Sequence, residues 1–221
     1  MICFDKLKLV CDINYINNIN LEIFESRIIG NNLLYHKYEM KSPYLLSIKA
    51  DFIHNELIIE FTSKILRDNY INLINKNNIH ECLTNINDMG ICNIDINKII
   101  NNSEVYKCDV TQTINFDNIK ELRKYIKSNI TNHDKWCFEK YRNGFVLKKT
   151  VSTRRYKKRL TMYDKKNELL MSENEMFLET LKNKDDILSY YDNKIQVEYN
   201  INSKYQIKKM LEIEDAKLMN I

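Results

Sequence analysis

EVYKCDVTQTINF, residues 104–116, is the clearest β-strand in the sequence. Successive side chains of a strand point to opposite sides of the sheet, so this segment is predicted to have two distinct faces. One face should hold the odd-numbered residues Val105, Lys107, Asp109 and Thr111. The other should hold the even-numbered residues Tyr106, Cys108, Val110 and Gln112. Asp109 is therefore an acid placed among apolar neighbours in a strand.

Further strands and helices are predicted on both sides of this segment. Alternating or β-branched residues predict strands at about 3–13, 44–52, 55–66, 144–153, 157–163 and 194–202. Apolar residues at helical spacing predict helices within 75–90, 95–102, 116–129, 172–183 and 204–213. Gly90 is expected to end the first helix and Asp117 to cap the third. Ser172 and Glu175 match a capping box at the start of the fourth.

Strands separated irregularly by helices predict an α+β fold with a mainly antiparallel sheet. The length of 221 residues suits a single domain over 1–221. A polar stretch near 128–136 is the best internal boundary, which would divide the chain into interlocked halves of about 1–130 and 131–221.

The composition limits the cellular setting and the class of function. Lys and Arg total 34 and Asp and Glu total 30, so the net charge of +4 does not make the whole chain a polycation. Any nucleic-acid interaction must depend on where the charge lies. The six cysteines form no CxxC or CxH pair, which favours buried thiols in a reducing compartment over a zinc site. With no signal peptide and no apolar run long enough to span a membrane, the sequence predicts a cytoplasmic protein.

Three predicted strands each carry one acid among apolar residues. These acids are Glu60 in LIIEF, Asp109 in YKCDVT and Glu198 in IQVEY. A carboxylate is costly in a strand core unless it is paired, exposed or bound to a metal, and oxygen ligands on neighbouring strands suit Mg²⁺ or Mn²⁺. The alternative is that each acid faces solvent or pairs with a lysine on the next strand.

Positive charge is concentrated in KKTVSTRRYKKRLTMYDKKNEL, residues 148–169. Its first twelve residues carry seven cations and no acid: Lys148, Lys149, Arg154, Arg155, Lys157, Lys158 and Arg159. Such a density, with hydroxyls and an aromatic ring interspersed, is typical of a surface that binds the phosphate backbone of a nucleic acid. The alternative is an ordinary solvated basic face.

Tyr163 follows this basic segment at the end of a predicted strand. Lys165 lies two residues further on, so in an extended strand it would point to the same face and could stabilise a phenolate. The alternative is a tyrosine of the core or its rim, in a chain that has 14 tyrosines. The sequence has no HxH pair, Gly-rich phosphate loop or GxSxG elbow, which disfavours the common nucleotide hydrolases.

Four of these segments, in this order, resemble a known family. The segments are NELIIEFTSKIL, EVYKCDVTQTI, KKTVSTRRYKKRLTMYDKKNEL and KIQVEYNINSKYQIKKML. Together they resemble the phage and plasmid replication proteins of the filamentous-phage gene II/X type, which initiate rolling-circle replication. The likeness extends from about residue 5 to 215. It implies a fold related to the HUH endonucleases, with ferredoxin-like halves, and the family's C-terminal part is expected to be absent here.

The resemblance implies a role for individual residues. Tyr163 matches the nicking tyrosine of a Y-x-K-x-x-E-L element, with Lys165 and Glu168 in the matching places. Asp109 and Glu198 match acids of two later strand motifs, and Glu60 matches the acid of the early strand. These acids are expected to bind Mg²⁺ or Mn²⁺.

The implied activity is that of a metal-dependent, site-specific DNA nickase and strand transferase. Tyrosine transesterification at an origin would leave a 5′-phosphotyrosine link and a free 3′-OH. The expected partners are single-stranded or origin DNA, with a host helicase or polymerase acting on the product. No membrane association is expected.

The chain departs from the family pattern at several positions, so two alternatives remain open. Cys108 replaces an arginine before the strand acid, and Tyr199 and Asn200 replace the arginine-rich version of the late strand. One alternative is a DNA-binding relative without catalysis. The other is a structural or assembly protein with a basic surface.

The double substitution Arg154→Ala with Arg155→Ala is expected to weaken DNA binding for all sequences. It should also lower the slope of log affinity against log salt by about 2 units, since each lost phosphate contact removes about 0.9 on duplex DNA. Titrations at several salt concentrations measure this slope. A loss confined to one DNA sequence would show instead that these arginines read bases.

Overall fold

The computed structural model describes residues 1–129, 131–132, 135–150 and 158–220. The strands are β1 (Phe4–Asp12), β2 (Ile16–Asn17), β3 (Glu25–Ile29), β4 (Asn32–Met40), β5 (Leu46–Asp51), β6 (Glu56–Thr62), β7 (Asn93–Ile94), β8 (Glu104–Asn115), β9 (Trp136–Tyr141), β10 (Gly144–Lys149), β11 (Arg159–Asp164) and β12 (Lys194–Ile201). The α-helices are α1 (Ile79–Asn87), α2 (Ile96–Asn102), α3 (Ile119–Asn129), α4 (Lys165–Leu169), α5 (Glu175–Glu179), α6 (Lys184–Tyr190) and α7 (Lys204–Leu211). Short 3₁₀ segments span Ile13–Tyr15, Ser63–Asn72, Ser172–Asn174 and Leu218–Asn220.

Ten of the strands form one sheet in the order β3-β4-β5-β6-β1-β8-β12-β11-β10-β9. Every neighbouring pair of described strands in this sheet is antiparallel. The strand predicted most clearly, β8, lies near the centre, between β1 and β12. The predicted α+β fold with a mainly antiparallel sheet is therefore confirmed.

The central strands have one apolar face and one polar face. In β1 the side chains of Leu7 and Leu9 are buried, whereas Lys6 and Lys8 point the other way. The same alternation in β5 and β6 buries Leu46, Ile48, Leu57, Ile59 and Phe61. Helix α1 adds four apolar residues to this core, namely Ile79, Cys82, Leu83 and Ile86. Period-two alternation thus leaves a row of lysines on the face opposite this core.

A β-bulge in β8 changes the faces that the sequence predicts. Lys8 of β1 lies opposite Lys107, but Leu9 lies opposite Val105, so Tyr106 is an extra residue in β8. An extra residue reverses the alternation on one side of the bulge. Val105 is consequently buried in the core, while Lys107 and Asp109 share the face of Lys8. The prediction that Val105 and Asp109 share a face is wrong.

Several ends of elements also differ from their predictions. The strand predicted to continue to residue 66 ends at Thr62, where Ser63 begins a 3₁₀ segment and its hydroxyl donates to Asp5 Oδ1 at 2.6 Å. The carboxamide of Asn118, rather than Asp117, accepts from a backbone N–H of the first turn of α3. No side-chain cap is formed at Met171 or Asn174, because residues 172–174 form a 3₁₀ turn ahead of α5 instead of a capping box.

Three strands of the large sheet were not predicted from the sequence. These are the hairpin strands β3 and β4 and the edge strand β9, whose residues do not alternate cleanly between buried and exposed.

Among the described residues, no helix is both long enough and apolar enough to cross a membrane.

Gly144 allows β9, β10 and β11 to approach one another closely. It lies between Tyr141 on one side and Tyr163 on the other. A Cβ atom at this position would lie 2.1 Å from the carbonyl oxygen of Met162 and 2.6 Å from Cβ of Tyr163. The backbone at residue 144 therefore has no room for a side chain.

Gly144→Ala is expected to lower the free energy of unfolding by about 3 kcal/mol, the upper end of the overpacking range, because a strand backbone must move. The control is Gly30→Ala, where nothing lies within 4 Å and only a left-handed backbone, φ +59°, must be tolerated. That control should cost about 1 kcal/mol. Urea unfolding measures both, and equal losses would contradict the steric explanation.

Candidate functional site

The hydroxyl of Tyr163 lies between a carboxylate and an ammonium group. Tyr163 is near the end of β11, opposite Gln196 of β12, and Thr161 is opposite Glu198. Because alternate residues of a strand share a face, the ring of Tyr163 reaches diagonally to Glu198. Its hydroxyl donates a hydrogen bond to Glu198 Oε1. Lys165 Nζ donates to the same hydroxyl oxygen at 3.3 Å.

Lys165 reaches Tyr163 from a helix rather than from a strand. It is the first residue of α4. Asp164 is the N-cap of this helix, and its carboxylate accepts a hydrogen bond from the backbone N–H of Asn167. The side chain of Lys165 is buried, and its ammonium pairs with Glu168 Oε2 at 3.0 Å. The predicted contact between Tyr163 and Lys165 is therefore present, although the predicted extended conformation at Lys165 is not.

A second layer of buried side chains holds Glu168 in place. Asn174 Nδ2 donates to Glu168 Oε1 at 3.0 Å and to its backbone carbonyl at 2.7 Å. Lys64 Nζ in turn donates to Asn174 Oδ1 at 2.5 Å. Lys64 lies just after β6, so this chain of contacts joins two segments about a hundred residues apart in the sequence. Neither Lys64 nor Asn174 was predicted as a site residue. Lys64 could have been recognised, because it is a lysine inside the apolar run FTSKIL.

Burial determines the protonation of the Tyr163 and Glu198 pair. Burial raises the pKa of Glu198 from its ordinary value near 4.5 to about 7; the negative charge of Asp5 also raises it, whereas Lys165 opposes the shift. Burial likewise raises the pKa of Tyr163 well above its ordinary value near 10, with Lys165 again opposing. At neutral pH the phenol therefore keeps its proton, and Glu198 is the group of the pair that titrates.

The three acids predicted to bind a metal each have other partners. Glu60 pairs with Lys6 at 2.6 Å and lies 3.6 Å from the ammonium of Lys107. Asp109 Oδ1 accepts from Asn200 Nδ2 at 2.5 Å, and burial raises the pKa of Asp109. In the part of the chain that the structure describes, no group of three or more His, Cys, Asp or Glu side chains is arranged to hold a metal ion.

These partners decide between the two interpretations of Glu60. Its carboxylate pairs with lysines of the neighbouring strands, which is the alternative that the sequence left open. Glu198 is similarly occupied by Tyr163 and by Gln196 Nε2 at 2.9 Å. In this structure each of the three carboxylates is thus engaged by other side chains.

A basic cleft of about 730 Å³, here called the C-terminal cleft, lies on the polar face of the sheet. Its six basic side chains are Lys6, Lys107, Lys148, Lys149, Lys158 and Arg159. Its two acids are Asp109 and Glu139. Four of the seven cations predicted to bind DNA therefore line one concave surface. The other three, Arg154, Arg155 and Lys157, lie outside the described residues.

Strand β11 connects this cleft with the tyrosine. Arg159, at the start of β11, lies opposite Asn200, which in turn lies opposite Asp109. Tyr163 is four residues further along the same strand and has the same parity as Arg159, so both belong to one face. A phosphate chain bound in the C-terminal cleft would thus contact Arg159, at the start of the strand whose other end carries Tyr163.

No protein-family model and no curated protein sequence matches the chain.

The chemistry of the site follows from its own residues. A tyrosine hydroxyl that contacts both a carboxylate of pKa about 7 and a buried ammonium can act as a nucleophile, since Glu198 can accept its proton and Lys165 can stabilise the phenolate.

Glu198→Gln is expected to remove a pH dependence of stability. Because the pKa of Glu198 is raised in the folded state, the folded protein binds more protons than the unfolded chain between about pH 4.5 and 7. Wild-type stability relative to the variant should therefore fall as pH rises through this window. The change is at most a few kcal/mol, since one pKa unit corresponds to about 1.4 kcal/mol.

Glu60→Gln provides the matched control with the opposite sign. Burial alone would raise the pKa of Glu60, but Lys6 and its neighbours lower it overall, so this carboxylate stabilises the fold above its unfolded pKa. Its contribution is lost as pH falls, and wild-type stability relative to this variant should rise with pH. Urea unfolding at several pH values measures both differences. Identical pH profiles for wild type and Glu198→Gln would contradict the assignment.

Proposed function

We propose that this protein is a rolling-circle replication initiator that nicks origin DNA by transesterification at Tyr163. The observation that carries the proposal is the position of the Tyr163 hydroxyl, between Glu198 and Lys165, on the strand that leads into the C-terminal cleft. The resemblance to gene II/X-type replication proteins supports the same conclusion, since the tyrosine, lysine and glutamate of Y-x-K-x-x-E-L correspond to Tyr163, Lys165 and Glu168.

In the proposed reaction the oxygen of Tyr163 attacks a backbone phosphorus atom. A bond forms between the phenolic oxygen and phosphorus while the bond from phosphorus to the 3′ oxygen breaks. The phenol proton passes to Glu198, and the departing 3′ oxygen takes up a proton from water to become a free 3′-OH. The DNA remains attached through a 5′-phosphotyrosine link, and a polymerase can extend the released end.

Lys165 has two roles in this proposal. Its ammonium stabilises the phenolate as the proton leaves, and it counters the negative charge that develops on the phosphate. Asn174 and Lys64 act as positioning residues, because they fix Glu168, which fixes Lys165. Burial alone would lower the pKa of Lys165, but Glu168 and its neighbours raise it, so the ammonium stays charged.

The C-terminal cleft supplies the binding site for the DNA backbone. Its six cations face a polyanion without needing to read bases, which suits single-stranded or locally opened origin DNA. A divalent cation, which the resemblance implies, would polarise the scissile phosphate. We assign it no ligands, because Glu60, Asp109 and Glu198 have other partners.

One observation favours a second function, that of a DNA-binding relative without catalysis. Tyr163 is only 8% exposed, and its hydroxyl proton is retained well above pH 10. Attack on a phosphate requires the side chains that cover Tyr163 to move when DNA binds. A protein that kept the basic cleft without this movement would bind DNA and leave it intact.

The test is a denaturing gel of the protein with end-labelled single-stranded DNA and Mn²⁺, run beside Tyr163→Phe. Wild type should give a protein-linked DNA band that the variant lacks. Glu198→Gln should reduce the rate by about 10²–10⁴-fold and lose the increase in rate as pH rises through about 7, because the general base is gone.

The matched control is Tyr141→Phe. Tyr141 lies across Gly144 from Tyr163 and is 38% exposed, so it is the more accessible of the two rings. A band that persists in Tyr163→Phe and disappears in Tyr141→Phe would move the nucleophile to Tyr141. Tight, salt-sensitive binding with no linked band for any origin-like DNA would favour the non-catalytic relative.

A further inference from the structure

A second basic cleft, here called the N-terminal cleft, lies over strands β1, β4, β5 and β6. It has a volume of about 440 Å³ and contains five lysines: Lys6, Lys8, Lys37, Lys41 and Lys49. Its acids are Glu39 and Glu60. None of the lysines of this cleft belongs to the basic segment 148–169 that the sequence singles out.

Strand register places these lysines on the polar face of the sheet. Lys49 of β5 lies opposite Ile58 of β6 on one side and Lys37 of β4 on the other. Lys8 of β1 lies opposite Glu60 of β6 and Lys107 of β8. Directly opposed residues of neighbouring strands share a face, so the N-terminal lysines continue the surface of the C-terminal cleft.

Lys6 lines both clefts and makes them one surface. Its ammonium reaches Glu60 of the N-terminal cleft, and its backbone lies opposite Asp109 of the C-terminal cleft. Glu60 is itself surrounded by Lys6, Lys8 and Lys107, three cations around one acid. The junction between the clefts is therefore positively charged rather than neutral.

The charge of the chain is segregated onto this surface. The two clefts together contain ten basic and four acidic side chains, a net charge of +6. The whole chain has a net charge of only +4, so all remaining residues together carry −2. A polyanion would be attracted to this one face and weakly repelled by the rest of the molecule.

We propose that the N-terminal cleft is a second binding site for the DNA phosphate backbone, which extends the DNA path across the sheet. This inference rests on the proposed function in one respect, namely that the bound polyanion is DNA.

The strand order gives the length of this path. Seven strand-to-strand steps separate β4 from β10. At about 4.8 Å per step the path is about 34 Å long, which corresponds to about ten base pairs of duplex.

The experiment compares two triple variants, both in a Tyr163→Phe background so that no covalent link forms. The cleft variant is Lys8→Gln, Lys37→Gln and Lys41→Gln. These changes leave Glu60 paired with Lys6 and Lys107 and preserve the contact of Lys49 with Asp51. The control variant is Lys76→Gln, Lys182→Gln and Lys184→Gln, which removes the same charge from exposed positions that line neither cleft.

The first readout is the salt dependence of binding to duplex and single-stranded DNA of random sequence. The cleft variant should lose about 2.7 units of log–log slope on duplex or about 2.1 on single strands, with affinity lower by about tenfold or more. The control variant should keep the wild-type slope. Because each lost phosphate contact removes about 0.9 on duplex and about 0.7 on single strands, each loss is divided by its own coefficient. The form of DNA that loses more contacts is the one that occupies the N-terminal cleft.

The second readout is the dependence of affinity on DNA length. The basic side chains of the C-terminal cleft alone span four strand-to-strand steps, from Lys6 of β1 to Lys148 and Lys149 of β10. That distance is about 19 Å, or about six base pairs. Wild-type affinity should keep rising up to about ten base pairs, whereas the affinity of the cleft variant should level off near six.

The same three lysines changed to arginine should restore both readouts, because arginine keeps the charge. If the glutamine triple does not fold, Lys37→Gln with Lys41→Gln alone should lose about 1.8 units of slope on duplex. Equal slopes and equal length dependence for the cleft and control variants would overturn the inference. Because binding is measured without cleavage, absence of nicking in the earlier experiment would leave this result unaffected.

Discussion

The buried ammonium of Lys165 organises the candidate site. A charge removed from water must find partners inside the protein, and Lys165 has a carboxylate, a phenol and the face of the Tyr70 ring around it. Each partner lies in a different element: Glu168 is in α4, Tyr163 is near the end of β11, and Tyr70 is in the 3₁₀ segment after β6. Contacts with Lys165 therefore hold these three elements together. The extension through Asn174 to Lys64 makes the arrangement depend on segments that are far apart in the sequence. The geometry at Tyr163 is therefore a property of the complete fold rather than of its local motif.

The second constraint is the alternation of the sheet, which separates the hydrophobic core from the charged surface. Because alternate residues of β1, β5 and β6 are buried in the core, most of their remaining positions are polar, and this chain places lysine at several of them. The same alternation in β11 puts Arg159 and Tyr163 on one face. Alternation of side chains thus gives the protein a lysine-rich face and places Tyr163 on that same face.

Much of the fold could be predicted from the sequence because its strongest signals are local. Alternation in β1, β8 and β12 and helical spacing in α1 depend on a few consecutive residues. The bulge at Tyr106 could not be predicted, because it is set by pairing with β1, which is about a hundred residues away. The same limit applies to Glu60, whose lysine partners come from two other strands. The lysines of DKLKLV and LSIKAD carried a visible signal, but an alternating pattern is so common in half-buried strands that it indicates a face and not a ligand.

The proton balance of the site connects the proposed chemistry with DNA binding. Burial raises the pKa of Tyr163 well above its ordinary value, whereas the pKa of Glu198 rises only to about 7, so moving the phenol proton to Glu198 is uphill in the free protein. Lys165 is already in place there and opposes both shifts. Further stabilisation of the phenolate must therefore come from events that accompany DNA binding, such as displacement of the groups that cover the ring or bond formation to phosphorus itself. In the proposed reaction, a tyrosine held in this way would attack only after DNA had moved the groups that cover it. For the proposed initiator, which would have to cut one strand at one site, burial of Tyr163 would supply that restraint as part of the fold itself.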